Sequence, residues 1–256
     1  MASIKEIELR LNDIQTETDP RFIELLTDER KGVQQAVAKW RKRQTEKETL
    51  RKAFAEMTRH ELKARDDGAV IIGGVDEVGR GPLAGPVVAS CVVLPEGEEF
   101  LGLTDSKKLS ETKREFYYED IFTRATAVGI GEATAEEIDT HNIYEASKLA
   151  MVRAVSNTNA PLDFLLVDAM SLPLEMKQES LIKGDARSVS IAAASIVAKV
   201  TRDRYMKEIA KVYPGYGFDN HAGYGTAEHL QALKTFGVTD EHRRSFAPVR
   251  KHVTTT

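Results

Sequence analysis

The chain has 256 residues, 41% of them hydrophobic and 30% charged, with a net charge of −4 and a single cysteine. That length supports one large core, or one core with a small appendage. No apolar run reaches the roughly twenty residues of a membrane span, the start lacks the apolar core of a signal peptide, and Cys91 has no partner for an internal disulfide, so the expected setting is a reducing cytoplasm.

Residues 1–67 are poor in glycine and rich in charge, with helical spacing at Ile4, Ile7, Leu11 and Ile14. Thr18 or Asp19 before Pro20 reads as a helix start, with Pro20 in the first turn. A longer helix is expected over Gly32–Ala64, where Val33, Val37, Trp40, Leu50, Phe54, Met57 and Leu62 form an irregular apolar stripe. Asp66-Asp67-Gly68 marks a boundary between a helical, basic extension (1–67) and the remaining domain (68–256). From Arg30 to Arg65 there are twelve Lys and Arg against four Glu, a local +8 in a chain whose remainder is −12. This stretch either adds non-specific affinity for a nucleic-acid duplex or is a solvated helix face.

From Ala69 the texture is α/β. Ala69–Val78 and Pro86–Leu94 are apolar strand candidates joined by a short Gly/Pro turn, which makes them antiparallel neighbours. Ser110 can cap a helix running to Ala125, followed by a strand over Ala127–Ala133, a helix over Tyr144–Asn157 and a short buried strand over Asp163–Asp168. An alanine-rich helix spans Ser190–Val212 and another Ala227–Phe236, stopped by Gly237. The expected architecture is a mixed sheet flanked by helices, with a helical N-terminal extension and a helical C-terminal region.

Asp76 and Glu77 lie side by side at the end of an apolar run, with Val78 alone separating them from Gly79-Arg80-Gly81. Burying two adjacent carboxylates adds mutual repulsion to desolvation, and a divalent cation held by oxygen ligands is the simplest compensation. Asp168 ends a second apolar run, and Asp185 follows Gly184 ahead of the alanine-rich helix. Strand ends of such sheets are where ligands bind. Side chains alternate along a strand, so Asp76 and Glu77 can share a site only if the backbone distorts, and Gly73, Gly74 and Gly79 would permit that. Converging carboxylates describe a magnesium or manganese site, often a two-ion one that cleaves phosphodiesters. Separate solvation or pairing of each acid is the plainer reading.

Gly79-x-Gly81-x-x-x-Gly85 is no dinucleotide turn, because strand material rather than a helix follows it. A plain structural turn remains possible. Glycines that admit close backbone approach, with Arg80 between them, also suit a sugar–phosphate ligand. The histidines, including His221, His229 and His242, show no metal-ligand spacing and read as structural.

Taken together, residues 74–86, Asp105-Ser106-Lys107-Lys108-Leu109, Val167-Asp168, Lys183-Gly184-Asp185, residues 190–203 and Gly223-Tyr224-Gly225-Thr226 resemble the type 2 ribonucleases H, most closely bacterial ribonuclease HII. The likeness covers about Ala69–Arg250 and leaves the basic N-terminal segment outside. It implies a ribonuclease H-like fold and hydrolysis of the RNA strand of RNA–DNA hybrids, including cleavage 5′ of single ribonucleotides embedded in duplex DNA, leaving 3′-hydroxyl and 5′-phosphate ends, in replication and repair. Asp76, Glu77, Asp168 and Asp185 fall on the family's catalytic metal ligands, for two Mg2+ or Mn2+ ions. Gly79, Arg80 and Gly81 match its tripeptide that reads the 2′-hydroxyl, Tyr224 the tyrosine that packs on the next deoxyribose, and Lys107 a phosphate contact. The related ribonuclease HIII has a sheet-containing N-terminal domain and lacks the tyrosine, so both features favour HII. The implied partners are RNA–DNA hybrid and ribonucleotide-containing duplex DNA, with no membrane, for a chain expected to act as a monomer. A binding module that has lost catalysis is the rival from another class.

Overall fold

A computed structural model of the protein describes residues 2–253. The chain divides into two compact units, Met1–Ala53 and Phe54–Thr256. In the first, Ile4–Asp13 (α1) begins at Ser3, whose hydroxyl accepts from the Glu6 amide while the Glu6 carboxylate accepts from the Ser3 amide, a reciprocal cap. Pro20–Leu26 (α2) starts with Asp19 as cap and Pro20 in the first turn. Lys31–Met57 (α3) packs Val33, Ala36, Val37 and Trp40 against Ile7, Leu11, Ile14 and Phe22. The Trp40 indole donates to the Ile14 carbonyl at 3.2 Å, which satisfies its one polar atom inside that small core.

The expected continuous helix over Gly32–Ala64 stops at Met57, and Arg59–Asp66 (α4) follows after Thr58. The Thr58 hydroxyl turns back to the Ala55 carbonyl there. Leu50 and Leu62 of the expected stripe are exposed, whereas Phe54 and Met57 join the core of the second unit and Ala64 packs with Ile72, Leu166, Leu181 and Ile191. Two separate destinations for the apolar residues require two helix axes, and the break supplies them.

The second unit is built on a five-stranded sheet in the order β3-β2-β1-β4-β5. Its strands are Ile72–Val78 (β1), Val87–Val93 (β2), Ala127–Ala133 (β3), Phe164–Asp168 (β4) and Lys177–Leu181 (β5). β1 pairs antiparallel with β2 and parallel with β4, so it is the central strand. Neighbouring residues alternate between faces. Cys91 and Leu165 pack with Ala146, Ala150 and Ala154 of Ile143–Asn157 (α7), while Val92 and Leu166 pack with Val189–Val212 (α8). The alanines of α8 let it lie close on the sheet, and a Cβ on Gly74 would fall 2.1 Å from the Ser190 backbone carbon. Gly74 is therefore required by a helix contact.

Glu111–Arg124 (α5) runs from its Ser110 cap, as expected. Ala135–His141 (α6), Phe218–His221 (α9), Ala227–Phe236 (α10) and Ala247–Arg250 (α11) complete the unit. Of these, only α10 is expected from the sequence, over Ala227–Phe236 with Gly237 as its stop. β5 was also not anticipated: Lys177-Gln178-Glu179-Ser180-Leu181 is polar, and as an edge strand it is held by its ladder to β4. Among the described residues no helix is long and apolar enough to cross a membrane.

Candidate active site

Asp76 and Glu77 close β1 and Asp168 closes β4, so the two parallel strands deliver their carboxylates to the same edge of the sheet. One oxygen from each of the three lies within 4.8 Å of the others. No other trio of His, Cys, Asp or Glu gathers this closely among the described residues. The expected backbone distortion is absent: β1 and β2 pair one to one from Gly74↔Val92 to Val78↔Val88. Pairing with β4 stops at Val75↔Val167, and past that point the Glu77 side chain can reach the cluster from a regular strand.

Asp185 lies outside the trio, in a 3-10 turn over Gly184–Ala186 just before α8. The turn is tied to the cluster, since the Gly184 amide donates to Asp168 Oδ1 at 2.6 Å. Burial, then the charges of Glu77 and Asp168, push the Asp76 carboxyl well above the usual carboxylate range. Burial raises Glu77 as well, partly offset by Arg80, whose Nη1 is 3.5 Å from Glu77 Oε1. Burial also raises Asp168 and Asp185, the latter with help from Asp105 and Asp168. Lys107 is lowered by burial, but the Asp185, Asp105, Asp76 and Asp168 charges outweigh this and raise it overall. The structure thus brings Lys107 into the field of the acids.

A hard divalent cation fits this site. The donor set is carboxylate oxygen throughout, and Glu77 Oε2 is buried with no hydrogen-bond partner among the described residues. A cation there would oppose the upward shift of each acid by favouring its charged form.

Beside the acids, Gly79 takes φ +96°, a left-handed conformation that glycine adopts without strain. A Cβ built on Gly81 would lie 3.4 Å from Cε1 of Tyr224, so the turn and the tyrosine, 143 positions apart in sequence, are neighbours. Tyr224 is 49% exposed. Its carbonyl is held from below: His229 Nδ1 lies 3.0 Å away, and His229 Nε2 is 3.0 Å from Nε2 of His242. Thr239 N donates to His242 Nδ1 at 3.0 Å, so His242 must donate through Nε2 and His229 through Nδ1. Both rings are neutral, and both are lowered chiefly by burial, His242 to about 4. The histidines support the Tyr224 loop and offer no metal-ligand geometry.

Two contributors escaped the sequence reading. Asp105 was seen only as the start of the block containing Lys107, yet its charge acts on Asp185 and Asp168. Glu61, placed in the N-terminal segment, is buried and accepts from the Ser188 hydroxyl (2.6 Å) and the Ser190 amide (3.0 Å). It caps α8 where Ser190 meets Gly74, at the joint between the strand of Asp76 and the turn of Asp185. A capping acid 127 positions from its serine leaves no local pattern to find.

Comparison with known proteins matches the chain in two stretches, one of which takes in the N-terminal segment that the sequence resemblance left outside. Residues 73–249 match the family model described as Ribonuclease HII, and residues 3–65 match one described as Ribonuclease HII N-terminal domain. Curated relatives named Ribonuclease HII include those of Bacillus cytotoxicus, 52% identical over 97% of this chain and 96% of theirs, and of Bacillus subtilis, 55% identical over 97% of each. Among solved structures, ribonuclease H2 from Pyrococcus horikoshii OT3 is similar with a TM-score of 0.62 and 27% identity, covering 71% of this chain and 96% of that one.

Proposed function

The chain belongs to the ribonuclease HII family, a family of metal-dependent ribonucleases H, and from that premise we propose that it cuts duplex DNA on the 5′ side of a single embedded ribonucleotide, as well as the RNA strand of RNA–DNA hybrids, leaving 3′-hydroxyl and 5′-phosphate ends. The observation that carries the proposal is the adjacency of two features, linked by Arg80 Nη1 at 3.5 Å from Glu77 Oε1: a trio of acids within 4.8 Å, and an adjoining turn whose Gly81 faces Tyr224. The acids suit hydrolysis of a phosphodiester, and the turn suits selection of its sugar.

In this reading Asp76 and Asp168 are the central ligands, with Glu77 and Asp185 completing the set. Two bound magnesium or manganese ions would supply an activated water and stabilise the departing 3′-oxygen. Asp76, held by its own Oδ1 accepting the Glu77 amide at 2.7 Å, orients one carboxylate edge. Asp168 is oriented by the Gly184 amide. Lys107 offsets the acids and meets a backbone phosphate. Gly79, Arg80 and Gly81 contact the 2′-hydroxyl, the one group that separates RNA from DNA at a single nucleotide. Tyr224 packs on the following deoxyribose, where a second 2′-hydroxyl would clash.

A DNA duplex with one ribonucleotide, incubated with magnesium, with manganese or with chelator, tests the proposal. Metal-dependent cutting 5′ of the ribonucleotide is expected. Tight binding without cutting in either metal would instead make the chain a binding module.

A further inference from the structure

Arg243 is completely buried and, among the described residues, forms no ion pair with a carboxylate, Asp139 acting on it only through its charge at longer range. Its guanidinium is given over to the backbone of the turn. Nε donates to the Gly85 carbonyl (3.0 Å), Nη1 to those of Arg80 (3.0 Å) and Pro82 (2.8 Å), and Nη2 to those of Gly79 and Gly85 (2.8 Å). Arg202, equally buried on α8, donates to the carbonyls of Pro86 (2.9 Å), Ala84 (3.1 Å) and Ala222 (3.0 Å). Burying a guanidinium is costly, and hydrogen bonds to several carbonyls are what make it tolerable. Two such groups under one surface turn go beyond what a connection between strands requires.

Peptide geometry gives the arrangement a consequence. There are no cis peptide bonds among the described residues, and in a trans peptide the C=O of one residue and the N–H of the next point in opposite directions. Drawing the Gly79 and Arg80 carbonyls inward therefore turns the Arg80 and Gly81 amides outward. Neither amide donates to any group among the described residues. The next residue, Pro82, has no N–H, so the outward pair ends there. Arg202 extends the scaffold to the other side of the site, because Ala222 directly precedes the Gly223-Tyr224 segment and the Leu83 amide donates to the Gly223 carbonyl at 2.8 Å.

We propose that Arg243 is the positioning residue for ribose recognition: its fork fixes the peptide planes of Gly79 and Arg80 so that two amides present a preformed cradle to the 2′-oxygen, and Arg202 locks the Tyr224 segment to that cradle. The proposal rests on the reading of Gly79-Arg80-Gly81 as the 2′-hydroxyl contact. A lysine carries the charge but cannot reproduce the planar, five-donor fork.

The test is the binding of two otherwise identical duplexes, one with a central ribonucleotide and one all-DNA, by fluorescence anisotropy in chelator. Wild type should prefer the ribonucleotide duplex. Arg243→Lys, with an unchanged circular dichroism spectrum, should lose about tenfold of that preference, the scale of one well-placed hydrogen bond, while its affinity for all-DNA stays the same. A wild type with no preference would overturn the 2′-hydroxyl reading itself. A wild type with a preference that folded Arg243→Lys retains in full would overturn only the role of Arg243. Arg243→Gln, which removes the buried charge, serves if the lysine variant does not fold. Should neither fold, nitrogen-15 spectra of the wild type decide. Separate, slowly exchanging Nη resonances for Arg243 are expected, and rapidly rotating, solvent-exchanging ones would refute the proposal.

Discussion

Asp76→Asn should abolish cleavage and yet stabilise the metal-free protein. Asp76 is 5% exposed, and its carboxylate oxygens lie within 4.8 Å of oxygens on Glu77 and Asp168. At an effective dielectric near 20, two unit charges at that separation repel by about 3–4 kcal/mol, and partial protonation and solvent around the half-buried partners reduce the sum. Relief of about 2–3 kcal/mol is a reasonable expectation. Asparagine keeps an oxygen for the Glu77 amide, so the one hydrogen bond Asp76 makes is preserved. For a protein of this size the melting temperature in chelator should rise by about 5–10 °C. The sign with pH follows from the raised Asp76 carboxyl. A carboxyl raised by folding costs nothing below its unfolded value, where it is protonated in both states, and its penalty grows from there until pH passes the raised folded value. The advantage of the variant should therefore vanish below about pH 4 and grow as pH rises above it. Magnesium should raise the melting temperature of wild type and leave the variant unmoved. Differential scanning calorimetry with and without chelator measures all three. A variant that melts below wild type in chelator at neutral pH would refute the packed carboxylate cluster.

Tyr224→Ala should reduce discrimination at the junction between ribonucleotide and deoxynucleotide by about tenfold or more, with little loss of duplex affinity, since one aromatic face is removed from an otherwise intact site; wild-type selectivity in a competition cleavage assay would exclude the sugar-packing role. Removal of residues 1–53 should leave a folded enzyme with a shallower dependence of binding on salt, while removal of residues 1–66 should also strip the buried Met57, Glu61 and Ala64 from the second unit and lower its melting temperature. Equal melting temperatures for the two truncations, or an unchanged salt slope for the shorter one, would contradict this. His229 and His242 are buried and neutral, with folded values below 6.5. Their contribution to stability is thus complete above about pH 6.5 and lost as pH falls through their lowered values, about 4 for His242. Ring NMR titrations should show no inflection for either histidine near 6.5, and an ordinary inflection there would mean the pair is solvated.

The sequence by itself determined the local elements and the chemistry of the ligand set. Strands β1 to β4 announce themselves as β-branched or apolar runs, α5 by its Ser110 cap and α10 by the Gly237 that stops it. Asp76, Glu77 and Asp168 are visible because acids that end apolar runs conflict with burial. Those signals are local because the forces behind them, capping, alternation and desolvation, act within a few residues. Only the tertiary structure decided that Glu77 joins the cluster from an undistorted strand, that Gly74 is dictated by Ser190, and that polar Lys177–Leu181 is a strand at all. It alone joined Glu61 to Ser188 across 127 positions and Arg243 to Gly79 across 164. A buried arginine or glutamate bonded to distant backbone has the same one-letter code as a solvated one. Its role depends on which carbonyls and amides the fold leaves unpaired beside it, and that is settled only when the chain closes around them.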